Sequence, residues 1–403
     1  MQFGWIDYSS EHRKKVMAVL DALSAPGAVD ELGIGQIRDG FANKLFPGTS
    51  TLQTRAKYFF IVPYILMELE KRQGLSPKSF LGELERIEGD IIDLFKNKGN
   101  IVGYIGENSG RNIKRKPSSI YWSGLRVFGF FRHPSLSIEG YARYVCSVNQ
   151  EMLNQIMLGK RLSDDNQNDD EDAHKCLSVS GLWYCLPPPE EKWLEKIDIE
   201  LSKQEAEYLK SRITKSEHSK DSLLAFMCNC DAETVRSIDR FSNIGSFLDI
   251  PVHIKQEYEM ARRFSDFVYG ANIRYNVILT DRQNKKPLEM WDDWVDSFFV
   301  KQSFASYNAD EAMNYLRINN PRLRRFLNLW KENFLLQDEE AMDDLIIKRE
   351  IELKGRERAK IRNPEYYTPA DSGTLVGGKL NYRFGNVYRL LDDIFSGLEE
   401  LHA

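Results

Sequence analysis

The chain has 403 residues, 42% hydrophobic, 12% aromatic and 29% charged, with a formal net charge of -5. That length supplies two or three ordinary domains and a sizeable core, while the composition excludes collagen-like, coiled-coil and small secreted classes. A slightly acidic total argues against an indiscriminate coat for nucleic acid, and the richest apolar run, Tyr58 to Leu69, is too short to span a bilayer.

The opening MQFGWIDYSSEHRKK sets its charges after its apolar residues, the reverse of a signal peptide, so a cytoplasmic chain without membrane partners is expected. Residues 10–23 repeat Val16, Val19, Leu20 and Leu23 at helical spacing and stop at Ala25-Pro26-Gly27. A helix is predicted over Gly35–Phe46, with a break at Pro47-Gly48. Thr49-Ser50-Thr51 then reads as the N-cap of a long helix to Arg72, which Pro63 should kink or interrupt. Ser76 and Pro77 open the next helix as N-cap and first helical residue. Its apolar stripe is Phe80, Leu84, Ile87, Ile91, Ile92 and Phe95.

Ser118-Ser119 suit the cap of a helix over IYWSGLRVFGF, and the turn FRHPS separates it from LSIEGYARYVCSVNQEML. The pair forms a helix-turn-helix-like element around 118–150. Such hairpins read DNA in some proteins and are plain packing units in many more. Leu162–Ala173, LSDDNQNDDEDA, has no apolar periodicity and reads as a solvated acidic linker. Pro187-Pro188-Pro189 makes a stiff connector between Trp183 and Trp193.

Further helices are predicted over QEAEYLKSRI, DSLLAFMCN and the long segment IKQEYEMARRFSDFVYGANIRYNVILTD. Glu289–Ser303, Asp310–Arg317, Pro321–Leu336 and Asp338–Arg362 follow. Asn363–Lys379 reads as a loop and Tyr382–Glu400 as a closing helix. Alternation suited to a strand appears almost nowhere beyond Asn100–Gly106. The expected fold is therefore mainly α, a multi-helix globular protein with little or no sheet. It divides into an N-terminal helical domain over 1–160, an acidic loop and proline-rich connector over 161–195, and a C-terminal helical region over 196–403 with a 363–380 loop and the closing helix.

Signatures of catalysis are sparse. The G-x-x-x-x-G-K-[ST] phosphate loop is absent, Gly33-Ile34-Gly35 lacks the third glycine of a dinucleotide fingerprint, and no G-x-S-x-G occurs. Five cysteines (Cys146, Cys176, Cys185, Cys228 and Cys230) form no disulfide framework, and the Cys228/Cys230 pair has no second ligand pair at zinc spacing. Neither metal nor cofactor is expected. Glu352-Leu353-Lys354 is the E-x-K of a metal-dependent nuclease, though on a predicted helix crowded with charges.

Charge is distributed unevenly. Residues 1–150 carry 20 Lys/Arg against 15 Asp/Glu, whereas residues 151–250 carry 12 against 20. Arg111, Lys114, Arg115 and Lys116 lie in a glycine-rich loop that leads to a helix N-terminus, a setting suited to phosphate. The competing reading of these cations is a solvated loop. A second basic cluster, Arg356, Arg358, Lys360 and Arg362, reads more simply as a salt-bridged helix surface.

Four stretches, FGWIDYS, DELGIGQIRDGFANKLFPGTSTLQTRAKYFFIVPYI, KRKPSSIYWSGLRVFGFFRH and RERAKIRNPEYY with LNYRFGNVYRLLDDI, together resemble the bacterial DUF6361 family. LFPGTSTLQTRAKYF is the most specific part. The resemblance supplies no catalytic residues. It implies an accessory role on nucleic acid in phage-defence or mobile-element systems, beside partners such as a helicase or nuclease. The first expectation is thus a non-enzymatic, nucleic-acid-associated accessory subunit. Its contact surface would centre on Arg111, Lys114, Arg115, Lys116 and Arg126, joined by Arg38, Lys44, Arg55 and Lys57. The alternative is a protein-interaction adaptor that uses helical faces and the 181–194 connector without touching nucleic acid. A cryptic metal-dependent nuclease dependent on Glu352 is the third reading.

Overall fold

The computed structural model describes residues 30–133, 135–157, 181–184, 186–189, 192–364 and 377–399. The helix predicted over 10–23, the acidic linker and most of the 363–379 loop lie outside these residues. In chain order the longer helices are α1 (Gly35–Leu45), α2 (Tyr58–Glu70), α3 (Pro77–Lys98), α4 (Pro117–Val127), α5 (Ile138–Met157) and α6 (Lys203–Lys215). They continue as α7 (Val252–Leu279), α8 (Lys285–Val295), α9 (Pro321–Leu335), α10 (Glu339–Lys354) and α11 (Phe384–Glu399). Among the described residues there is no sheet, only an isolated antiparallel bridge between Phe131 and Trp183. The fold is multi-helix and all-α.

Local chemistry explains most boundaries. Ser76 caps α3 by accepting from the Ser79 amide at 3.1 Å, Pro77 occupies the first turn, and Gly99 ends the helix at φ 70. All six residues of the predicted stripe are buried. Helix α2 begins at Tyr58, later than expected, because the polar residues before it fold into turns. Thr49 Oγ1 donates to the Phe46 carbonyl at 2.6 Å, and Gln53 Nε2 donates to the Gly48 carbonyl at 3.0 Å. The helix then runs uninterrupted through Pro63.

The helix expected over Glu289–Ser303 is two, α8 and Phe298–Gln302, since Ser297 accepts from the Val300 amide and restarts the helix. Gly355, at φ 79, ends α10 well before Arg362. Asn100–Gly106 is no strand: the Ile105 amide finds its partner in the Tyr58 hydroxyl at 3.0 Å.

Tertiary contacts divide the chain into two compact units built from non-contiguous segments, whereas the division read from sequence follows chain order. One unit comprises Met1–Phe41 with Lys255–Tyr382, the other Ala42–Ile254 with Arg383–Ala403. The Ala42–Ile254 unit is organised on α2, in which every residue except Glu68 is buried. Phe59 packs edge-on to Tyr121 at 4.9 Å and lies 5.3 Å from Phe128. Each such ring contributes roughly 1.5–3 kcal/mol by leaving water. Glu70, at the end of α2, accepts from Trp183 Nε1 at 3.0 Å and from the Tyr141 hydroxyl. The closing helix α11 lies against α6 in the same unit. Gly397 permits the approach, because a Cβ there would stand 3.0 Å from the Leu201 carbonyl oxygen.

In the Lys255–Tyr382 unit an aromatic cluster joins α8 and α9: Trp294 lies 5.3 Å from Trp291, 5.0 Å from Phe334 and 6.2 Å from Trp330. Helices α9 and α10 pack together. Glu350 of α10 is fully buried and satisfied by the Tyr275 hydroxyl at 2.8 Å, Lys354 Nζ at 3.1 Å and the amides of Lys360 and Ile361. Arg349, also buried, donates to the Leu32 carbonyl at 2.9 Å and ties the segment around Leu32 to α10.

Candidate functional site

The N-terminus of α4 was the expected phosphate cradle. A protein carboxylate already occupies it. Glu88, buried in α3, accepts from the Ser118 amide and so caps the helix that Lys116 leaves without a side-chain cap. Burial pushes the Glu88 carboxyl up to about 7, against the pull of the Ser118 hydrogen bonds and Lys116. Arg111 pairs with Asp93 at 2.9 Å and Asp90 at 3.1 Å, both on α3. Gly89 leaves room for that guanidinium, which a Cβ there would meet at 3.0 Å. Lys116 Nζ donates to the Arg111 carbonyl at 2.7 Å. Lys114 and Arg115 are exposed, with no side-chain partner among the described residues. Arg126, in the last turn of α4, is half-buried and its Nε has no hydrogen-bond acceptor.

The cations of the LFPGTSTLQTRAKYF stretch serve the architecture. Arg55 Nε donates to both carboxylate oxygens of Asp393 on α11, at 2.9 and 3.1 Å, and its Nη1 donates to the Val102 carbonyl at 3.1 Å. Asp393 also accepts from the Ala56 amide at 2.6 Å. Lys57 pairs with Glu205 at 2.6 Å, and both side chains are largely buried. Around them Arg383 donates to the Thr49 carbonyl at 2.7 Å and Asn386 to the Gln53 carbonyl at 2.6 Å. Tyr121 links the same loop to α4, accepting from the Thr54 amide and donating to the Arg55 carbonyl. Arg38 pairs with its neighbour Asp39 at 3.1 Å, and Lys44, exposed at the end of α1, is also engaged.

Two other sequence candidates have structural surroundings of the same kind. Glu352 pairs with Arg349 at 3.1 Å and Arg322 at 3.5 Å, while Lys354 sits between the buried carboxylates of Glu31 and Glu350. Among the described residues no group of three or more His, Cys, Asp or Glu side chains is arranged to hold a metal. The proline connector is docked, with Tyr64 donating to the Pro187 carbonyl at 2.9 Å and Trp193 to Glu68 at 2.7 Å.

A feature that periodicity missed is an open cleft of about 410 Å³ in the Lys255–Tyr382 unit, between α7, α8 and the Phe298–Gln302 helix. Trp294 forms its floor, fixed by a hydrogen bond from Nε1 to the Asp266 carbonyl at 2.9 Å. Gly270 lets the indole lie on α7, since a Cβ there would stand 2.3 Å from the ring. Phe299 is buried beside it, but Phe298 is 80% exposed. Arg262, Arg263, Lys379, Asp266 and Asp293 supply the charge. Asp266 is neutralised by Lys379 at 2.5 Å and Arg262 at 3.5 Å. Arg263 is exposed and has no hydrogen-bond or ion-pair partner among the described residues. A local signal that could have pointed here is Phe298-Phe299 directly after the capping Ser297: successive residues on a helix face different directions, so on a short surface helix one ring of such a pair is left towards solvent.

These features define a multi-helix globular protein with internally paired charges and an open aromatic cleft. Residues 1–153 match the model of DUF6361, a family of unknown function, so the similarity covers the first part of the chain. The resembling stretches near the C-terminus lie beyond the matched segment. Comparison with curated proteins and with solved structures gives no significant match. No helix among the described residues is long and apolar enough to cross a membrane.

Proposed function

We propose that this protein is a non-enzymatic interaction adaptor whose partner is another protein. On the family resemblance, that partner would be a helicase or nuclease of a bacterial phage-defence or mobile-element system, met in the cytoplasm. The observation that carries the reading is Phe298, a ring left 80% in water beside a rigid aromatic floor and an unpaired guanidinium. Exposed aromatics next to arginine are the residues that dominate protein interfaces. The pairing of Arg111, Arg55 and Lys57 with carboxylates supports the same choice, since a cation already neutralised releases few counterions on meeting a phosphate. The test is affinity capture from the native host with and without nuclease treatment. Partners retained after nuclease and lost from the Phe298→Ser variant are expected; partners that all vanish with nuclease would sink the reading.

Nucleic-acid association is the second reading, favoured by one observation: Lys114 and Arg115 are exposed and free of partners among the described residues. It predicts duplex or single-strand binding that weakens steeply with salt and is lost in Lys114→Ala/Arg115→Ala. No binding at low salt would remove it.

A further inference from the structure

We infer that the cleft over Trp294 receives an acidic peptide segment with an apolar anchor: a leucine-sized or aromatic side chain flanked by carboxylates. This rests on the adaptor reading and specifies its partner. The anchor's place follows from the floor. Trp294 is locked against α7, Phe299 is buried beside it, and Phe298 stands at the rim, so an apolar side chain entering between them is covered on several sides. A cleft of about 410 Å³ is large enough for one such side chain and the backbone that carries it.

The choice of carboxylates follows from charge accounting within the cleft. Of its three cations, Arg262 and Lys379 share Asp266, and Arg262 also forks onto Glu259 at 2.7 Å. Arg263 alone is uncommitted, and a guanidinium in the open presents paired N–H donors that match a carboxylate. Asp293, exposed on the α8 side without an ion-pair partner among the described residues, repels a continuous polyanion. It tolerates a peptide whose charges are spaced and whose backbone offers N–H groups. The exposed rim favours an extended chain that passes across the cleft over a small molecule enclosed by it.

The experiment is panning of a random peptide display library on the full chain, followed by anisotropy titration of the enriched peptides. Enriched sequences should pair Leu, Phe or Trp with neighbouring Asp or Glu. Their affinity should fall at least about tenfold for Arg263→Glu and for Phe298→Ser, while unfolding of both variants stays at the wild-type midpoint. A peptide whose anchor is replaced by Ser should lose binding to the wild type. No enrichment, enrichment without carboxylates, or affinities indifferent to both substitutions would overturn the assignment, as would displacement of bound peptide by a single-stranded oligonucleotide. If nuclease-resistant partners are captured by the wild type and lost from Phe298→Ser while no acidic peptide binds, this assignment fails and the adaptor reading stands. If every captured partner disappears with nuclease, the adaptor reading itself fails.

Discussion

The loop before α2 and the cleft over Trp294 are made from the same kinds of residue in opposite states of pairing. In the loop, Arg55 and Lys57 each face a carboxylate, and the backbone amides and carbonyls between Thr49 and Ala56 are tied down by Asp393, Asn386, Arg383 and Tyr121. In the cleft, Arg263 faces none and Phe298 faces water. Residue type therefore does not separate a committed cation from an available one; the presence or absence of an internal partner does. A buried pair that loses one member leaves an unpaired charge, whereas an exposed arginine loses little on truncation.

The largest expected effect breaks the closed side of this comparison. Asp393→Ala strands the Arg55 guanidinium and the Ala56 amide together, and should lower unfolding free energy by about 3–5 kcal/mol in urea titration. A loss below about 1 kcal/mol would show that the clasp is ornamental. Glu88→Gln comes next. Because the folded chain holds the Glu88 proton to about pH 7, against an ordinary value of 4.5, native protein binds more protons than unfolded chain between those values. Wild-type stability should fall as pH rises through that window, by up to about 3 kcal/mol. The glutamine variant keeps an acceptor for Ser118 and should flatten the fall, as seen in unfolding midpoints at pH 5 and pH 8. Smallest of all, Arg263→Ala and Phe298→Ser should shift unfolding free energy by no more than about 0.5 kcal/mol. A larger loss in either would mean that the cleft is architecture after all.

What the sequence disclosed was local. Ser76 with Pro77, the stripe from Phe80 to Phe95, the helix that opens at Pro321 and the helix after Tyr382 all depend on neighbours within a few residues, so spacing alone reveals them. The fate of the cations was not local. Arg55 finds its carboxylate 338 positions away, Lys57 at 148 and Ser118 at 30. Nothing in KRKPSSIYW states that Glu88 fills the helix end that a phosphate was expected to take. Lys114 and Arg115 stay open for the opposite reason: no acidic side chain reaches them among the described residues. The cleft escaped notice because its lining comes from α7, α8, the short helix after Ser297 and Lys379, four places that share no motif.

The Arg55–Asp393 pair also constrains when the molecule can finish folding. The segment that matches the family model ends at residue 153, yet two of its cations are answered by Glu205 and Asp393. During synthesis the loop therefore emerges from the ribosome long before its counterpart, and it must wait, solvated and unclasped, until α11 has been made. A fragment cut at the end of the family match would inherit that unfinished condition permanently.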